Sequence, residues 1–267
     1  MLFSMGRILI CKNLLISISQ LIFLSALAQG SWEKEKEYIF EKELLLTKLD
    51  LFGKLYVSHN DGTISTISLN DGKIKYQYDF GFNFLVTKIS VQNNLSPLFL
   101  DSIRQEVKIF DRFLADPQSY LLTRFTSKYV WDVTFSSDGQ LWILEGNPQI
   151  LNKINIDIGQ PMHKISLDGF NKPYKIESLA NLLLLKCANQ NYIIDQLGNI
   201  IFTIPKQAKF IRSTGNEFFF VIDRQLKSSN GTIIDLPILP HELLSIYHNS
   251  TTLFLISHKK LEIFKLN

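Results

Sequence analysis

The chain has 267 residues, 46% of them hydrophobic and 20% charged, which is enough for one sizeable packed domain. Its 28 basic and 25 acidic residues give a formal charge of only +3, and they interleave, as in Lys34-Glu35-Lys36-Glu37, so the concentrated basic excess of a nucleic-acid binder is missing. With two cysteines, one of them in the leader described next, the chain has no disulfide framework to stabilise it.

Residues 1–28 read as a cleaved secretory signal peptide. Arg7 and Lys12 give a positive start, Leu14 to Leu27 is an apolar stretch, and Ala26-Leu27-Ala28 is a small-x-small cleavage pattern. An uncleaved anchor is the alternative, although the stretch is short of the ~20 residues a membrane span needs. Cleavage removes Arg7 and Lys12 and no acid, leaving residues 29–267 nearly neutral as a single exported domain.

After the leader, Glu37 to Leu45 is strand-like and has no local partner. A repeat then begins. Leu55-Tyr56-Val57, Leu98-Phe99-Leu100, Leu141-Trp142-Ile143-Leu144, Leu182 to Leu185, Phe218-Phe219-Phe220-Val221 and Leu253-Phe254-Leu255-Ile256 start at intervals of roughly 35 to 45 residues, the period of propellers and other repeat arrays. Each run is too short for a helix and is bounded by turn residues, so each is expected to be a strand buried on both faces. A further strand follows most of them, as at Thr63 to Leu69, Glu106 to Phe110, Ile150 to Ile154 and Tyr192 to Asp195. Turns such as Asp71-Gly72, Leu197-Gly198 and Asn230-Gly231 lead into a third, because glycine supplies the positive φ of tight hairpins. A fourth precedes the apolar run, as at Val86 to Val91, Tyr129 to Phe135, Tyr174 to Ser178, Lys209 to Ser213 and Leu244 to His248.

Four antiparallel strands per repeat make a propeller blade. The last repeat has only three strands before the chain ends, and the unpartnered Glu37 to Leu45 segment supplies the fourth. The expectation is an all-β, six-bladed β-propeller closed by its N-terminal strand, which hides a sheet edge. Seven blades and an open stack of hairpins are the rival architectures.

Chemistry-bearing patterns are scarce. His59, His163, His241, His248 and His258 lack metal-ligand spacing, and no nucleophile elbow, phosphate loop or dinucleotide fingerprint occurs. Cys187, next to an all-apolar run, reads as a buried structural thiol. Asp101-Ser102-Ile103 matches a bacterial O-glycosylation acceptor, but such short patterns arise often by chance and a plain strand-end turn is the favoured reading; Asn230-Gly231-Thr232 and Asn249-Ser250-Thr251 fit the N-glycosylation triplet.

Leu55-Tyr56-Val57, Asp61-Gly62-Thr63-Ile64 and Leu69-Asn70-Asp71-Gly72-Lys73 together resemble the repeat of quinoprotein-like propellers. Trp131-Asp132-Val133 through Ser137-Asp138-Gly139-Gln140-Leu141-Trp142 resembles NHL and gluconolactonase-like six-bladed propellers. Tyr76 and Tyr78 stand where the quinoprotein docking Trp is expected, and the metal motifs of gluconolactonases have no match. The resemblance implies a propeller, and a non-catalytic one akin to periplasmic scaffold propellers of outer-membrane assembly machinery.

Propeller function concentrates on one ring face and at the channel mouth. The candidate partner-binding residues are therefore Trp131 and Asp132 on the third innermost strand, Lys175 and Glu177 on the fourth, Arg212 on the fifth and Tyr247 on the sixth, since aromatic and Arg side chains anchor interfaces. No catalytic residue, metal ligand or cofactor is assigned. The expected function is a protein-binding or scaffold module of the cell envelope, periplasmic, with an envelope or outer-membrane protein as partner. The alternative is a metal-dependent hydrolase or lactonase using channel carboxylates.

Overall fold

The computed structural model describes residues 31–266 apart from 51, 92–95, 147–148, 180, 215–216, 240–241 and 249–250. The leader, Asn249 and His241 lie outside the described residues. Six four-stranded antiparallel sheets account for every strand among the described residues. Blade 1 contains β2 (Leu44–Leu49), β3 (Lys54–His59), β4 (Thr63–Ser68) and β5 (Ile74–Asp79), written from the axis outwards. Blade 2 contains β6 (Lys88–Ser90), β7 (Leu98–Asp101), β8 (Glu106–Ile109) and β9 (Gln118–Leu121). Blade 3 contains β10 (Val130–Phe135), β11 (Leu141–Glu145), β12 (Ile150–Ile154) and β13 (Pro161–Ser166). Blade 4 contains β14 (Pro173–Leu179), β15 (Leu182–Cys187), β16 (Gln190–Ile194) and β17 (Ile200–Pro205). Blade 5 contains β18 (Lys209–Thr214), β19 (Glu217–Ile222), β20 (Gln225–Ser228) and β21 (Ile233–Asp235). Blade 6 contains β22 (Leu243–His248), β23 (Thr252–Ser257) and β24 (Lys260–Leu266), with β1 (Trp32–Ile39) outside them. The molecule is a six-bladed β-propeller.

The six apolar runs are the second strands of the six blades, and their lack of alternation follows from what each face meets. Leu141 and Ile143 of β11 point into the core between blades 2 and 3, while Trp142 and Leu144 point into the core between blades 3 and 4. The next blade repeats this: Leu183 and Leu185 face blade 3, and Leu184 faces blade 5. A strand sandwiched between two neighbours is apolar on both sides, and burying each such side chain contributes about 1.5–3 kcal/mol. Six separate hydrophobic clusters fill the six inter-blade spaces. Cys187 sits in one of them, and burial pushes its thiol up to about 12.

Ring closure uses the N-terminus, with boundaries that differ from expectation. The closing strand is Trp32–Ile39, antiparallel to β24, and the end of the expected Glu37 to Leu45 segment belongs instead to the inner strand of blade 1. Phe40 N–H donates to the Lys259 carbonyl and Leu44 N–H to the His258 carbonyl, so the chain stays pinned as it passes from the last blade to the first. Tyr38 fastens the seam from outside: its hydroxyl donates to the Asn70 carbonyl at 2.7 Å, and its ring lies over Gly72, whose φ of +66° and missing Cβ permit the contact.

Candidate functional site

Inner strands of a propeller begin on one face of the ring, and here that face is built by a recurring irregularity. The register slips at the start of β2, β10, β14, β18 and β22, between Leu44 and Leu46, Val130 and Asp132, Pro173 and Lys175, Lys209 and Arg212, and Leu243 and Ser245. Such β-bulges re-aim side chains out of the ladder. Leu45, Tyr174 and Leu244, three of the displaced residues, line the mouth of an axial cavity of about 440 Å³.

Trp131 is the displaced residue of blade 3. It is 51% exposed and packs edge-on against Tyr129, itself 49% exposed, with ring centroids 5.4 Å apart. Tyr129 donates its hydroxyl to the Ser102 carbonyl at 3.0 Å, next to Ile103, which is 71% exposed. The β7–β8 turn of blade 2 and the start of β10 thus form one apolar surface on the rim. A Cβ on Gly146 would meet the Trp131 indole nitrogen, so the tryptophan lies close against the backbone that supports it.

Asp132, one residue on, is buried. Its Oδ2 accepts the Lys88 ammonium at 2.6 Å and the Ile176 N–H at 2.8 Å, and its Oδ1 accepts the Val133 N–H at 3.0 Å. Lys88 also donates to the Ile176 carbonyl. This node joins the inner strands of blades 2, 3 and 4. Burial pulls the Lys88 ammonium down from its ordinary value, Asp132 opposes that, and the nearby Lys175 adds to it.

Deeper in the channel, Lys48 of blade 1 meets Glu177 of blade 4, on the opposite side of the ring, at 2.8 Å, and Lys186 approaches the other oxygen of Glu177 at 3.3 Å. Burial alone would raise the Glu177 carboxyl; Lys48, Lys186, Lys175 and Lys88 outweigh it and hold the group well below the usual carboxylate range. Lys175 lines the same cavity. Arg212 lies on β18 opposite Phe219. Tyr247 is only 2% exposed and packs in the core between blades 6 and 1. The candidates therefore separate into a rim residue, Trp131, a structural node at Asp132, two channel residues, Lys175 and Glu177, a position on the inner strand of blade 5, Arg212, and a core residue, Tyr247. Sequence reasoning missed Lys48, Lys88 and Lys186. The signal for Lys88 was present: it precedes Asp132 by one repeat period and occupies the equivalent place on its own inner strand.

Among the described residues no group of three or more His, Cys, Asp or Glu is placed to hold a metal ion. The channel's donor set does not fit a divalent cation, because one carboxylate faces several ammonium groups of the same sign as the ion. Asp101, which precedes the acceptor hydroxyl of Ser102 in the O-glycosylation pattern, is buried and its carboxylate accepts the N–H groups of Leu85, Ile103 and Arg104.

No family model matches the chain, and a search of curated proteins finds no match. Solved structures do share its architecture. Virginiamycin B lyase from Staphylococcus aureus, in a structure with quinupristin, superposes with a TM-score of 0.61 at 17% identity over 89% of this chain and 100% of the lyase. A streptogramin B lyase gives a TM-score of 0.60 at 16% identity over 89% of this chain and 98% of its own. A chain of the mitotic checkpoint complex gives 0.53 at 16% identity over 82% of this chain and 73% of its own. The likeness establishes the β-propeller fold. At these identities it carries no activity.

Proposed function

We propose that the protein is an exported, non-catalytic propeller that serves as a protein-binding module in the cell envelope, docking its partner on the rim where the inner strands begin. The observation that carries this reading is the joined exposed surface of Ile103, Tyr129 and Trp131. Large aromatic groups held rigidly on a surface give contact area at little entropic cost, and they are frequent energetic anchors of interfaces. The leader favours export, and the envelope partner follows from it. A propeller chain also occurs in the mitotic checkpoint complex, an instance of this fold within an assembly. The metal-dependent hydrolase or lactonase alternative needs several converging carboxylates, and the channel presents Glu177 among lysines.

The test is affinity purification of the tagged protein from its native envelope after mild crosslinking, alongside Trp131→Ala, with metal content determined on both samples. The reading predicts a stoichiometric envelope protein whose recovery falls by more than about tenfold in the variant, as loss of a central aromatic anchor implies. A lone protein carrying a bound divalent ion would overturn it.

A further inference from the structure

The axial cavity carries far more positive charge than the chain as a whole. Six lysines line it: Lys48 from β2, Lys88 from β6, Lys175 from β14, Lys186 from β15, Lys206 from the connection between blades 4 and 5, and Lys209 from the start of β18. The single carboxylate in the lining is Glu177, and it is already shared by Lys48 and Lys186. Asp132, beneath the lining, accounts for Lys88. Lys175, Lys206 and Lys209 have no carboxylate within ion-pair distance among the described residues, and all three lie on the side of blades 4 and 5.

We propose that this channel is a binding site for a small, multiply charged oxyanion of the phosphate-ester or polyphosphate type, held chiefly by Lys175, Lys206 and Lys209. The cavity, about 440 Å³, falls in the ~300–1,000 Å³ range of small-molecule sites. Lys175 is half-buried in the cavity and Lys206 and Lys209 stand exposed at its edge; same-sign charges gathered around one cleft raise the local potential and repel one another, and an anion relieves the repulsion. Ammonium groups on flexible stems act as point charges, which suits a phosphate group approached from several sides. Lys48 and Lys186 cannot collapse fully onto such an anion because Glu177 already holds them, so the cross-ring pair forms the floor of the site. Leu45, Tyr174 and Leu244 at the mouth supply an apolar collar for an organic portion of the ligand. The inference does not depend on the docking of a protein at the rim.

The experiment is a calorimetric titration of the purified protein with inorganic pyrophosphate at fixed ionic strength, set by sodium chloride, repeated at higher salt. One equivalent should bind, more weakly as salt rises. The double variant Lys206→Gln/Lys209→Gln alters exposed side chains and so should keep the fold, which its thermal unfolding checks; its affinity should fall by about tenfold or more. Lys75→Gln/Lys164→Gln, on outer strands, and Trp131→Ala should bind as the parent does, which separates this site from the rim. Co-sedimentation with phosphatidylglycerol vesicles, tested with and without pyrophosphate, distinguishes the two sources of the ligand. Vesicle binding relieved by pyrophosphate identifies a lipid headgroup; pyrophosphate binding without vesicle binding identifies a free phosphate compound. Absence of binding at millimolar pyrophosphate, or an equal loss in the outer-strand variant, would overturn the proposal.

Discussion

Asp132 accepts three hydrogen bonds within the ring: one oxygen receives Lys88 of blade 2 and the Ile176 N–H of blade 4, and the other receives the N–H of Val133. A buried pair of this kind need not exceed a well-packed apolar pair in stability, but breaking it leaves an uncompensated charge. Asp132→Ala strands the Lys88 ammonium at 6% exposure and should therefore cost about 3–5 kcal/mol of unfolding free energy. Lys88→Met/Asp132→Leu removes both charges but leaves the Ile176 N–H and carbonyl without these partners, so it should restore only part of that loss. Urea unfolding of the parent, the single variant and the double variant measures the difference; an Asp132→Ala protein as stable as the parent would show that the node does not hold the ring. The partnership was not legible in a residue-by-residue reading because Lys88 and Asp132 stand 44 positions apart. It becomes visible only when successive repeats are laid over one another. Lys48 and Glu177 are 129 positions apart and meet only because the ring closes, so no local pattern announces them.

At the scale of the element, the strands with two buried faces were the legible ones. The run Leu182 to Leu185 is apolar at every position because adjacent residues serve different inter-blade cores. Outer strands gave no such apolar signal, and those of blades 1, 4 and 5 were legible only from the turns Asp71-Gly72, Leu197-Gly198 and Asn230-Gly231 that precede them. Gln118–Leu121 and Pro161–Ser166 are largely exposed, so neither periodicity nor apolar content marks them. The closing segment was recognised with its ends displaced, because Trp32–Ile39 and Leu44–Leu49 are both strand-like and only a short connection separates them. The closing strand protects β24, whose Leu261 and Ile263 contribute to the core between blades 6 and 1. Removing residues up to Ile39 opens that edge, and exposed edges pair with other chains. The truncated protein should aggregate or dimerise at concentrations where the parent stays monodisperse in size-exclusion chromatography with light scattering. Unchanged behaviour would mean that blade 6 is stable with three strands.

At the scale of the molecule, one end of the ring collects the displaced residues of the inner strands. The face where inner strands begin gathers the displaced Trp131 and Tyr174, the β7–β8 turn with Ile103, and Lys206 and Lys209 beside the cavity mouth. The composition of the chain, close to neutral, conceals this arrangement. Repetition makes six similar blades, and departures from it at equivalent positions tell them apart: an indole on blade 3, a phenol on blade 4, a leucine on blades 1 and 6. The most direct test of a partner-binding rim is lysine-directed crosslinking mass spectrometry on the complex purified from the envelope. The account predicts partner crosslinks concentrated at Lys128, beside Tyr129 and Trp131, and at Lys206 and Lys209. Crosslinks confined to outer-strand lysines such as Lys75 and Lys164, with the rim unmodified by the partner, would contradict it.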